Sequence, residues 1–316
     1  MADPKPCLIV ILGATCTGKT EIAISLAQEL NAPIISADSR QVYTHFTIGT
    51  AKPSLAERKG IPHYLLDVVP PDYNFTVAEY QQRAQTLIRQ FHAQGISPIL
   101  VGGTGLYIQS IVAGLRIPQV PPQLPLRQQL SSLGQAHCYQ LLQQCDPATS
   151  QKIHPHDHHR TLRALEVFYV TGKPLSHLQK RQPPPYPVIQ IGINCPPLDL
   201  YRQRISQRLH KMLERGWLEE INTIQAIYGK NLPLLTTIGY AEMTDYLAGI
   251  HSLDTALAKA VTSTYQFGKR QRTWFRPDTS IHWIDYGTDP KFLLDLIHNR
   301  EDRQVHTHDD TAHHAP

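Results

Sequence analysis

Six short apolar runs recur along the chain, and more polar segments with helical spacing separate them. Within each run the apolar positions are continuous rather than alternating, which is typical of parallel strands covered on both faces. The pattern predicts a doubly wound α/β core, in which helices cover both faces of a parallel sheet. The predicted strands are Leu8–Leu12, Pro33–Ala37, Tyr64–Val69, Pro98–Val101, Val188–Asn194 and Ile281–Asp285.

Two of the intervening segments predict helices with defined ends. Residues 22–30 carry an apolar stripe, and Asn31 with the following Pro33 ends it. Thr76 and Glu79 have the spacing of a capping box, in which each side chain accepts a backbone N–H bond of the other residue. We therefore expect a second helix to begin at Thr76.

The first apolar run continues directly into the sequence GATCTGKT, which predicts a phosphate-binding loop between a strand and a helix. Backbone N–H groups at the helix N-terminus bind the anion, Lys19 adds a positive charge, and the Thr20 hydroxyl can bind Mg²⁺. The motif leaves open whether the phosphate is transferred, hydrolysed or expelled. We assign diphosphate binding to Gly13, Ala14, Thr15, Cys16, Thr17, Gly18, Lys19 and Thr20.

Polar residues at other predicted strand ends belong to the same edge of the sheet. Asp38 follows the second apolar run, where a carboxylate faces the ligand crevice and acts as a metal ligand or a base. Asp67 is the other candidate for a metal ligand, and Thr104 follows two glycines after the fourth run. Arg204 and Arg208 lie one helical turn apart, so their guanidinium groups can bind one diphosphate together.

Composition and charge indicate a large cytoplasmic protein with a polyanionic partner. The chain has 316 residues, is 41% hydrophobic, and contains five cysteines without a C-x-x-C pair. We see no secretory signal and no apolar run that could span a bilayer, so we expect no membrane association. Residues 118–186 hold seven Lys/Arg against three Asp/Glu, and residues 201–276 hold eleven against six.

Two proline-rich segments divide the chain into predicted parts. They flank residues 118–186, which we predict to be a helical insertion whose excess of positive charge suits a polyanionic partner. Residues 1–117 and 187–300 form the two parts of the core, and residues 301–316 form a polar tail that we expect to be disordered. Residues 269–276 (KRQRTWFR) interleave cations with aromatic residues, a combination suited to a nucleic-acid backbone with stacked bases.

Taken together, these segments resemble the tRNA dimethylallyltransferase (tRNA isopentenyltransferase) family. The similarity implies a P-loop fold that transfers a dimethylallyl group from dimethylallyl diphosphate to N6 of the adenosine 3′ of the anticodon, releasing diphosphate. It also implies Mg²⁺ as cofactor and the tRNA anticodon stem–loop as partner, and we expect a monomer. The matching pieces, in order, are GATCTGKT, DSRQVY, IGTAKP, PHYLLDVVPP, VGGTGLY, HDHHRTLRALEV, TIGYAEM and KRQRTWFR.

The resemblance also implies roles for individual residues. Asp38 matches the general base, and Lys19 and Thr20 match residues that assist departure of the diphosphate. Arg163 has a second interpretation, in which it forms a structural ion pair with Glu166 or Asp157. The residues that match tRNA contacts are Asp38, Ser39, Arg40, Gln41, Thr104, Arg127, His159, Arg160, Thr161, Leu162, Arg163, Lys269 and Arg270.

The chain departs from the family pattern at a few positions outside the phosphate loop, and alternative functions remain open. The alternatives are a small-molecule kinase that uses ATP, a prenyltransferase that acts on free adenine nucleotides, and an RNA-binding module without catalysis. The basic insertion argues against the first two, and a complete phosphate loop argues against the third. The departures are Thr44, Thr47, Pro196, Pro197, Thr236 and Ala241.

Overall fold

A computed structural model describes residues 5–297, and the predicted disordered tail at 301–316 lies outside them. Within the described residues, six strands form one sheet in the order β3-β2-β4-β1-β5-β6, and all neighbouring strands are parallel. The predicted parallel α/β core is therefore confirmed. The strands are β1 (Leu8–Gly13), β2 (Ile34–Ala37), β3 (His63–Tyr64), β4 (Ile99–Gly102), β5 (Val188–Ile193) and β6 (Ile281–Ile284).

Helices and loops connect the strands. Residues 233–236 form a 3₁₀ turn, and residues 290–297 are also helical. No helix among residues 5–297 is long and apolar enough to cross a membrane. The helices are α1 (Lys19–Glu29), α2 (Val77–His92), α3 (Gly105–Val112), α4 (Leu124–Ser132), α5 (Gln135–Cys145), α6 (Pro147–Ser150), α7 (His158–Thr171), α8 (Leu175–Leu178), α9 (Leu198–Glu214), α10 (Trp217–Tyr228), α11 (Tyr240–Leu247) and α12 (Leu253–Phe275).

The chain divides into two compact units. Unit 2 comprises residues 109–184, and unit 1 comprises the residues before and after it. In unit 1, apolar side chains of α1 pack on β1, β4 and β5 and form a core around Ile11, Leu26 and Ile191. In unit 2, helices α4, α5 and α7 bury Leu130, Leu142 and Leu165. The assignment of the insertion to RNA binding stays a prediction.

A local sequence signal accounts for the start of α2. The side chain of Thr76 caps α2 by accepting the Glu79 N–H bond at 3.2 Å, and Glu79 accepts the Thr76 N–H bond in return at 3.1 Å.

The third predicted strand is wrong beyond Tyr64. Leu65 and Asp67 adopt φ angles of 62° and 53°, which interrupt an extended strand.

The strand register brings three loops to one edge of the sheet. Leu12, the residue before the end of β1, and Ala37, the last residue of β2, both pair with Gly102 at the end of β4. A Cβ atom on Gly102 would lie 2.2 Å from the Ala37 carbonyl oxygen, so only glycine permits this close approach. The phosphate loop, the Asp38 loop and the loop containing Thr104 therefore begin side by side, where ligands bind in open α/β sheets.

Candidate active site

Backbone conformation shapes the phosphate loop between β1 and α1. Gly13 and Gly18 adopt φ angles of 146° and 90°, which favour glycine, and Cys16 adopts the left-handed region at 60°. Gly18 is the N-cap of α1, so the free N–H groups of the first helical turn face the loop. Thr17 closes the loop by donating its hydroxyl to the Ala14 carbonyl oxygen at 2.9 Å.

Three side chains from distant parts of the chain hold the backbone of this loop. The Thr15 N–H group donates to Oε1 of Gln271 at 2.9 Å, and its carbonyl oxygen accepts the Tyr201 hydroxyl at 3.0 Å. Arg204 donates from Nε to the Cys16 carbonyl oxygen at 3.2 Å. The loop is thus held in its ligand-binding shape by α9 and α12.

Three cations surround the loop without carboxylate partners. Lys19 donates to the Ala14 carbonyl oxygen, and Arg208 donates to Oγ1 of Thr15 at 3.2 Å. Among residues 5–297, no carboxylate lies within ion-pair distance of Lys19, Arg204 or Arg208. Burial, reinforced by the charge of Arg208, lowers the pKa of Lys19 to about 8. An anion in this loop would supply the missing negative charge.

Asp38 lies immediately after β2 in a turn that orients its carboxylate. Its Oδ1 atom accepts the N–H groups of Arg40 at 2.8 Å and Gln41 at 3.4 Å. No hydrogen-bond partner of Oδ2 occurs among the residues that the structure describes. One oxygen therefore holds the turn, and the other remains available to a substrate proton.

Hydrogen bonds of Ser39 and Gln41 connect the Asp38 loop to Thr104 and to residues 50–51. The Thr104 hydroxyl oxygen accepts the Ser39 N–H bond at 3.0 Å. The amide of Gln41 donates to the carbonyl oxygens of Thr50 at 3.2 Å and Ala51 at 3.3 Å. Arg40 is exposed. Thr104 and Gln41 thus have packing partners within the protein, whereas Arg40 faces solvent.

Two adjacent cavities meet at Cys16 and Arg208, which line both of them. The first, which we call the basic cavity, has a volume of about 500 Å³ and contains Lys19 and Thr20. The second, which we call the aromatic cavity, has a volume of about 410 Å³ and contains Asp38. The basic cavity is also lined by Lys52, Lys59, Arg204 and Arg215, and the aromatic cavity by Trp217, Tyr240 and Phe267.

Two acidic residues hold the loop that separates β2 from β3. Glu220 accepts the backbone N–H groups of residues 47–49 at 2.6–3.1 Å and the Tyr240 hydroxyl at 2.7 Å. Because the Thr47 contact uses its backbone, the departure from the family pattern there leaves it intact. Asp67, considered above as a metal ligand, pairs with the buried Lys52 instead.

Magnesium would find few protein ligands here, which fits an ion held mainly by diphosphate oxygens and water. The Thr20 side chain faces the basic cavity and also lines a smaller cavity that contains Asp38. Within the described part of the chain, no group of three or more His, Cys, Asp or Glu residues could hold a metal ion. The available donors suit a substrate-borne Mg²⁺ rather than a protein-enclosed metal.

In unit 2, a buried carboxylate binds two of the arginines predicted to contact tRNA. Glu166, whose side chain is 0% exposed, accepts two bonds from Arg127 at 2.8 Å and one from Arg163 at 2.5 Å. Glu166 also accepts the Gln123 N–H bond at 2.6 Å. Burial alone would raise the pKa of Glu166. The hydrogen bonds have the larger effect and lower this pKa to about 2.

The other predicted tRNA residues of unit 2 occupy different environments along α7. His159 and Arg160 are exposed, and Arg160 lies 3.3 Å from Asp157. Thr161 and Leu162 are buried, so their side chains contribute to the core of unit 2. The exposed residues remain the ones positioned to meet a ligand from solution.

Helix α12 in unit 1 presents a basic and aromatic surface near its end. Lys269 and Arg270 are exposed, and Arg270 lies 5.8 Å from the centre of the Phe267 ring. Trp274 is 41% exposed and packs against Gly105. Gln271 is buried in the midst of these exposed side chains.

Sequence reasoning missed Gln271, Tyr201 and Glu220. Gln271 lies in the KRQRTWFR segment, which was interpreted as a nucleic-acid-binding segment because of the charged and aromatic residues around it. Tyr201 and Glu220 belong to no recognisable motif. The backbone groups that these three side chains bind lie between 168 and 256 residues away in sequence, so no local pattern predicts the contacts.

Comparison with known proteins adds independent findings. A family model described as IPP transferase matches residues 41–278. The chain is 57% identical to the tRNA dimethylallyltransferase of Acaryochloris marina (strain MBIC 11017), covering 89% of this chain and 93% of that protein. It is also 57% identical to that of Gloeothece citriformis (strain PCC 7424), covering 93% of this chain and 95% of the relative.

Solved structures are similar in fold over most of their length. The full-length tRNA isopentenylpyrophosphate transferase of Bacillus halodurans matches with a TM-score of 0.71 and 33% identity, covering 98% of this chain and all of that one. A eukaryotic dimethylallyltransferase acting on tRNA matches with a TM-score of 0.76 and 31% identity, covering 89% of this chain and 74% of its own.

Proposed function

Because the chain belongs to the IPP transferase family, we propose that it transfers the dimethylallyl group of dimethylallyl diphosphate to N6 of the adenosine 3′ of the anticodon in tRNA, releasing diphosphate. The observation that carries this proposal is the meeting of two cavities at Cys16 and Arg208. The basic cavity suits a diphosphate, and the aromatic cavity holds a carboxylate together with the ring of Phe267, which is 37% exposed and can stack on a base.

The basic cavity binds the donor and stabilises its leaving group. Arg204, Arg208 and Lys19 meet the diphosphate together with the N–H groups at the start of α1. As the bond between the allyl carbon and oxygen breaks, negative charge grows on the diphosphate, and these fixed donors stabilise it without rearranging. Bound diphosphate also favours the charged form of Lys19, whose pKa is about 8 in the free protein.

Thr20 is the residue we propose to hold Mg²⁺ against the diphosphate, since it lines the basic cavity and carries a hydroxyl oxygen. When bound there, the ion supplies further neutralisation of the leaving group. Thr20 needs no carboxylate beside it for this role, because most of the ligands would come from the donor and from water.

Asp38 acts as the general base. The adenine N6 amine is a poor nucleophile because its lone pair is delocalised into the ring, so it must lose a proton as it attacks. N6 forms a bond to the terminal allyl carbon, the carbon–oxygen bond breaks towards the diphosphate, and the N6 proton passes to Asp38. The free Oδ2 atom is the one positioned to accept it.

The acceptor adenosine must leave its stack to reach Asp38. The aromatic cavity provides Trp217, Tyr240 and Phe267 beside the Asp38 loop, and Phe267 also borders the exposed cations of α12. Lys269 and Arg270 are therefore proposed to bind the neighbouring tRNA backbone. We further propose that the protein acts as a monomer in the cytoplasm, because one chain supplies both cavities and tRNA is a cytoplasmic substrate.

The proposal is tested by incubating the full chain with dimethylallyl diphosphate, Mg²⁺ and either unmodified tRNA or AMP, without any nucleoside triphosphate. Mass analysis of the nucleosides should show dimethylallyl adenosine in tRNA and none on AMP. Product on AMP alone would identify a nucleotide prenyltransferase. No product on either, with phosphoryl transfer once ATP is added, would identify a kinase.

Asp38→Asn supplies the internal control for the base. We expect turnover to fall by at least about a hundredfold while tRNA binding is retained, the size typical of a lost general base. Asp72→Asn, at an exposed position between β3 and α2, should behave like the wild type. Near-normal turnover of Asp38→Asn would remove Asp38 from this role.

A further inference from the structure

Gln271 differs from every residue next to it on α12. Its side chain is 7% exposed, while Lys269, Arg270 and Arg272 are all exposed. Both ends of its amide are used: Oε1 accepts the Thr15 N–H bond at 2.9 Å, and Nε2 donates to the Gly103 carbonyl oxygen at 2.9 Å. A donor at one end and an acceptor at the other fix which way the amide points.

The two partners of Gln271 belong to the two halves of the site. Thr15 lies in the phosphate loop, which binds the donor. Gly103 precedes Thr104, whose N–H group donates to the Ala37 carbonyl oxygen at 3.2 Å and whose hydroxyl accepts the Ser39 N–H bond at 3.0 Å. Ala37 and Ser39 flank the general base, so a short series of hydrogen bonds runs from the phosphate loop to Asp38.

Packing around the amide leaves little freedom. A Cβ atom on Gly103 would lie 2.3 Å from Nε2 of Gln271, so this approach requires glycine. Tyr201 binds the Thr15 carbonyl oxygen and Gln271 binds the Thr15 N–H group, so both backbone polar groups of this residue are held. Since Gln271 also lines the aromatic cavity, it lies between the loops rather than outside them.

We propose that Gln271 is a positioning residue that sets the separation between the donor diphosphate and the Asp38 loop. The inference rests on the proposed transfer reaction and adds a residue to it. Group transfer requires the attacking nitrogen and the allyl carbon to be held within about 3–3.5 Å, and a misplacement of about 1 Å can cost a hundredfold in rate. Gln271 acts through the two loops and does not touch the reacting atoms.

Gln271→Glu provides a test with its own signature. An ionised carboxylate accepts the Thr15 N–H bond but repels the Gly103 carbonyl oxygen. A protonated carboxyl group donates to that oxygen and restores both bonds with the original shape. The measured quantity is the single-turnover rate of the variant divided by that of the wild type. We expect this ratio to be about 0.1 at pH 8 and to rise towards one as the pH falls to 5.5.

Two further variants complete the comparison. Gln271→Met keeps the size but removes both hydrogen bonds, so its rate ratio should stay about tenfold low at every pH. Gln266→Glu introduces the same charge at an exposed position of the same helix and should leave the ratio near one. The other charged or titratable groups around the two loops are shared by all variants and cancel in the ratio: Lys19, Asp38, Arg40, His63 and Arg208.

Affinity measurements separate positioning from a general weakening of the site. Dissociation constants for dimethylallyl diphosphate and for tRNA should change less than about twofold in Gln271→Met, with a melting temperature that stays above the assay temperature. A wild-type rate in Gln271→Met would overturn the proposal, as would a fall confined to donor affinity. Gln271→Met introduces no charge, so it decides the matter even if Gln271→Glu melts below the assay temperature. Absence of transfer by the wild type itself would count against the proposed function instead.

Discussion

Unit 1 and unit 2 each contain a pair of arginines that the sequence offers to a polyanion, and the two pairs have different partners. Arg204 and Arg208 donate to the phosphate loop and to Tyr286, all neutral groups. Arg127 and Arg163 both bind the buried carboxylate of Glu166. The first pair keeps its positive charge available for a ligand, whereas the second pair shares one buried carboxylate, which compensates one of its two charges.

The difference shows that the role of an arginine at a motif position cannot be inferred until its partner in the fold is known. A guanidinium group held by neutral acceptors is fixed in place and still attracts an anion. One that is bound to a buried carboxylate mainly stabilises the fold, because removal of either partner leaves an uncompensated charge. We therefore expect mutations in unit 1 to affect catalysis and mutations around Glu166 to affect stability.

Glu166→Gln should have the largest effect on stability. The variant leaves Arg127 and Arg163, whose side chains are 35% and 31% exposed, without their negative partner, at a cost of about 1–3 kcal/mol. Hydrogen exchange of peptides from residues 109–184 should accelerate accordingly. Glu219→Gln, at an exposed position of α10, serves as the control. Unchanged exchange in Glu166→Gln would mean that the cluster contributes nothing to the stability of unit 2.

Arg208→Gln tests the opposite half of the comparison. Loss of a charge-assisted contact to the leaving diphosphate should lower kcat/KM for dimethylallyl diphosphate by about ten- to a hundredfold. The melting temperature should stay within about a degree of the wild type, since the partners of Arg208 in the free protein are Thr15 and Cys16. A stability loss with normal kinetics would give Arg208 the structural role that we assign to Arg127.

A pH titration should affect donor capture through Lys19, whose pKa of about 8 is lowered by burial and by Arg208. Lys19 is charged below this value and neutral above it, so kcat/KM for the donor should fall as the pH rises past about 8. In the bound complex the diphosphate favours the charged form, so the decline in kcat should begin at a higher pH.

The Lys19→Met profile supplies the control for this titration. It should be low throughout and lack the decline, because arginines stay charged over the same range. A wild-type kcat/KM that is constant up to pH 9.5 would show that Lys19 does not titrate as expected.

The sequence predicts the elements that depend on local patterns. Continuous apolar runs indicated the parallel sheet, and the phosphate loop was recognised because a strand, a glycine turn and a helix start are contiguous. The third strand was wrong beyond Tyr64 because residues 67 and 68 bond to Gln41 and Val42, a tertiary contact that no local pattern reveals. Apolar character alone cannot distinguish a strand from such a bent segment.

Within the candidate site, prediction stopped where partners are remote. Arg163 and Glu166 lie three residues apart on one helix, and their pairing was among the interpretations of the sequence. The contact between Arg127 and Glu166 spans 39 residues, and that between Gln271 and Thr15 spans 256. Both depend on how helices pack, so they emerge only from the folded chain.

Arg160 and Arg163 allow the smallest and most specific test, because they lie one turn apart on α7 with different partners. Arg160 has a side chain that is 60% exposed and a single surface contact to Asp157, a type of pair worth little in water. Arg163 donates to Glu166 and to the Val120 carbonyl oxygen. Arg160 is therefore the one free to bind a tRNA phosphate.

Arg160→Ala should lower the affinity for all tRNAs alike by a few-fold. It should also flatten the slope of log affinity against log salt concentration by about one unit or less. Its melting temperature should match the wild type. Arg163→Ala should do the reverse, lowering the melting temperature while leaving the salt slope unchanged, since its guanidinium group is already held by Glu166 and the Val120 carbonyl oxygen. The opposite result, in which Arg163→Ala changes the salt slope and Arg160→Ala does not, would show that Arg163 binds tRNA despite its pairing with Glu166. The contrast drawn between the arginines of the two units would then be wrong.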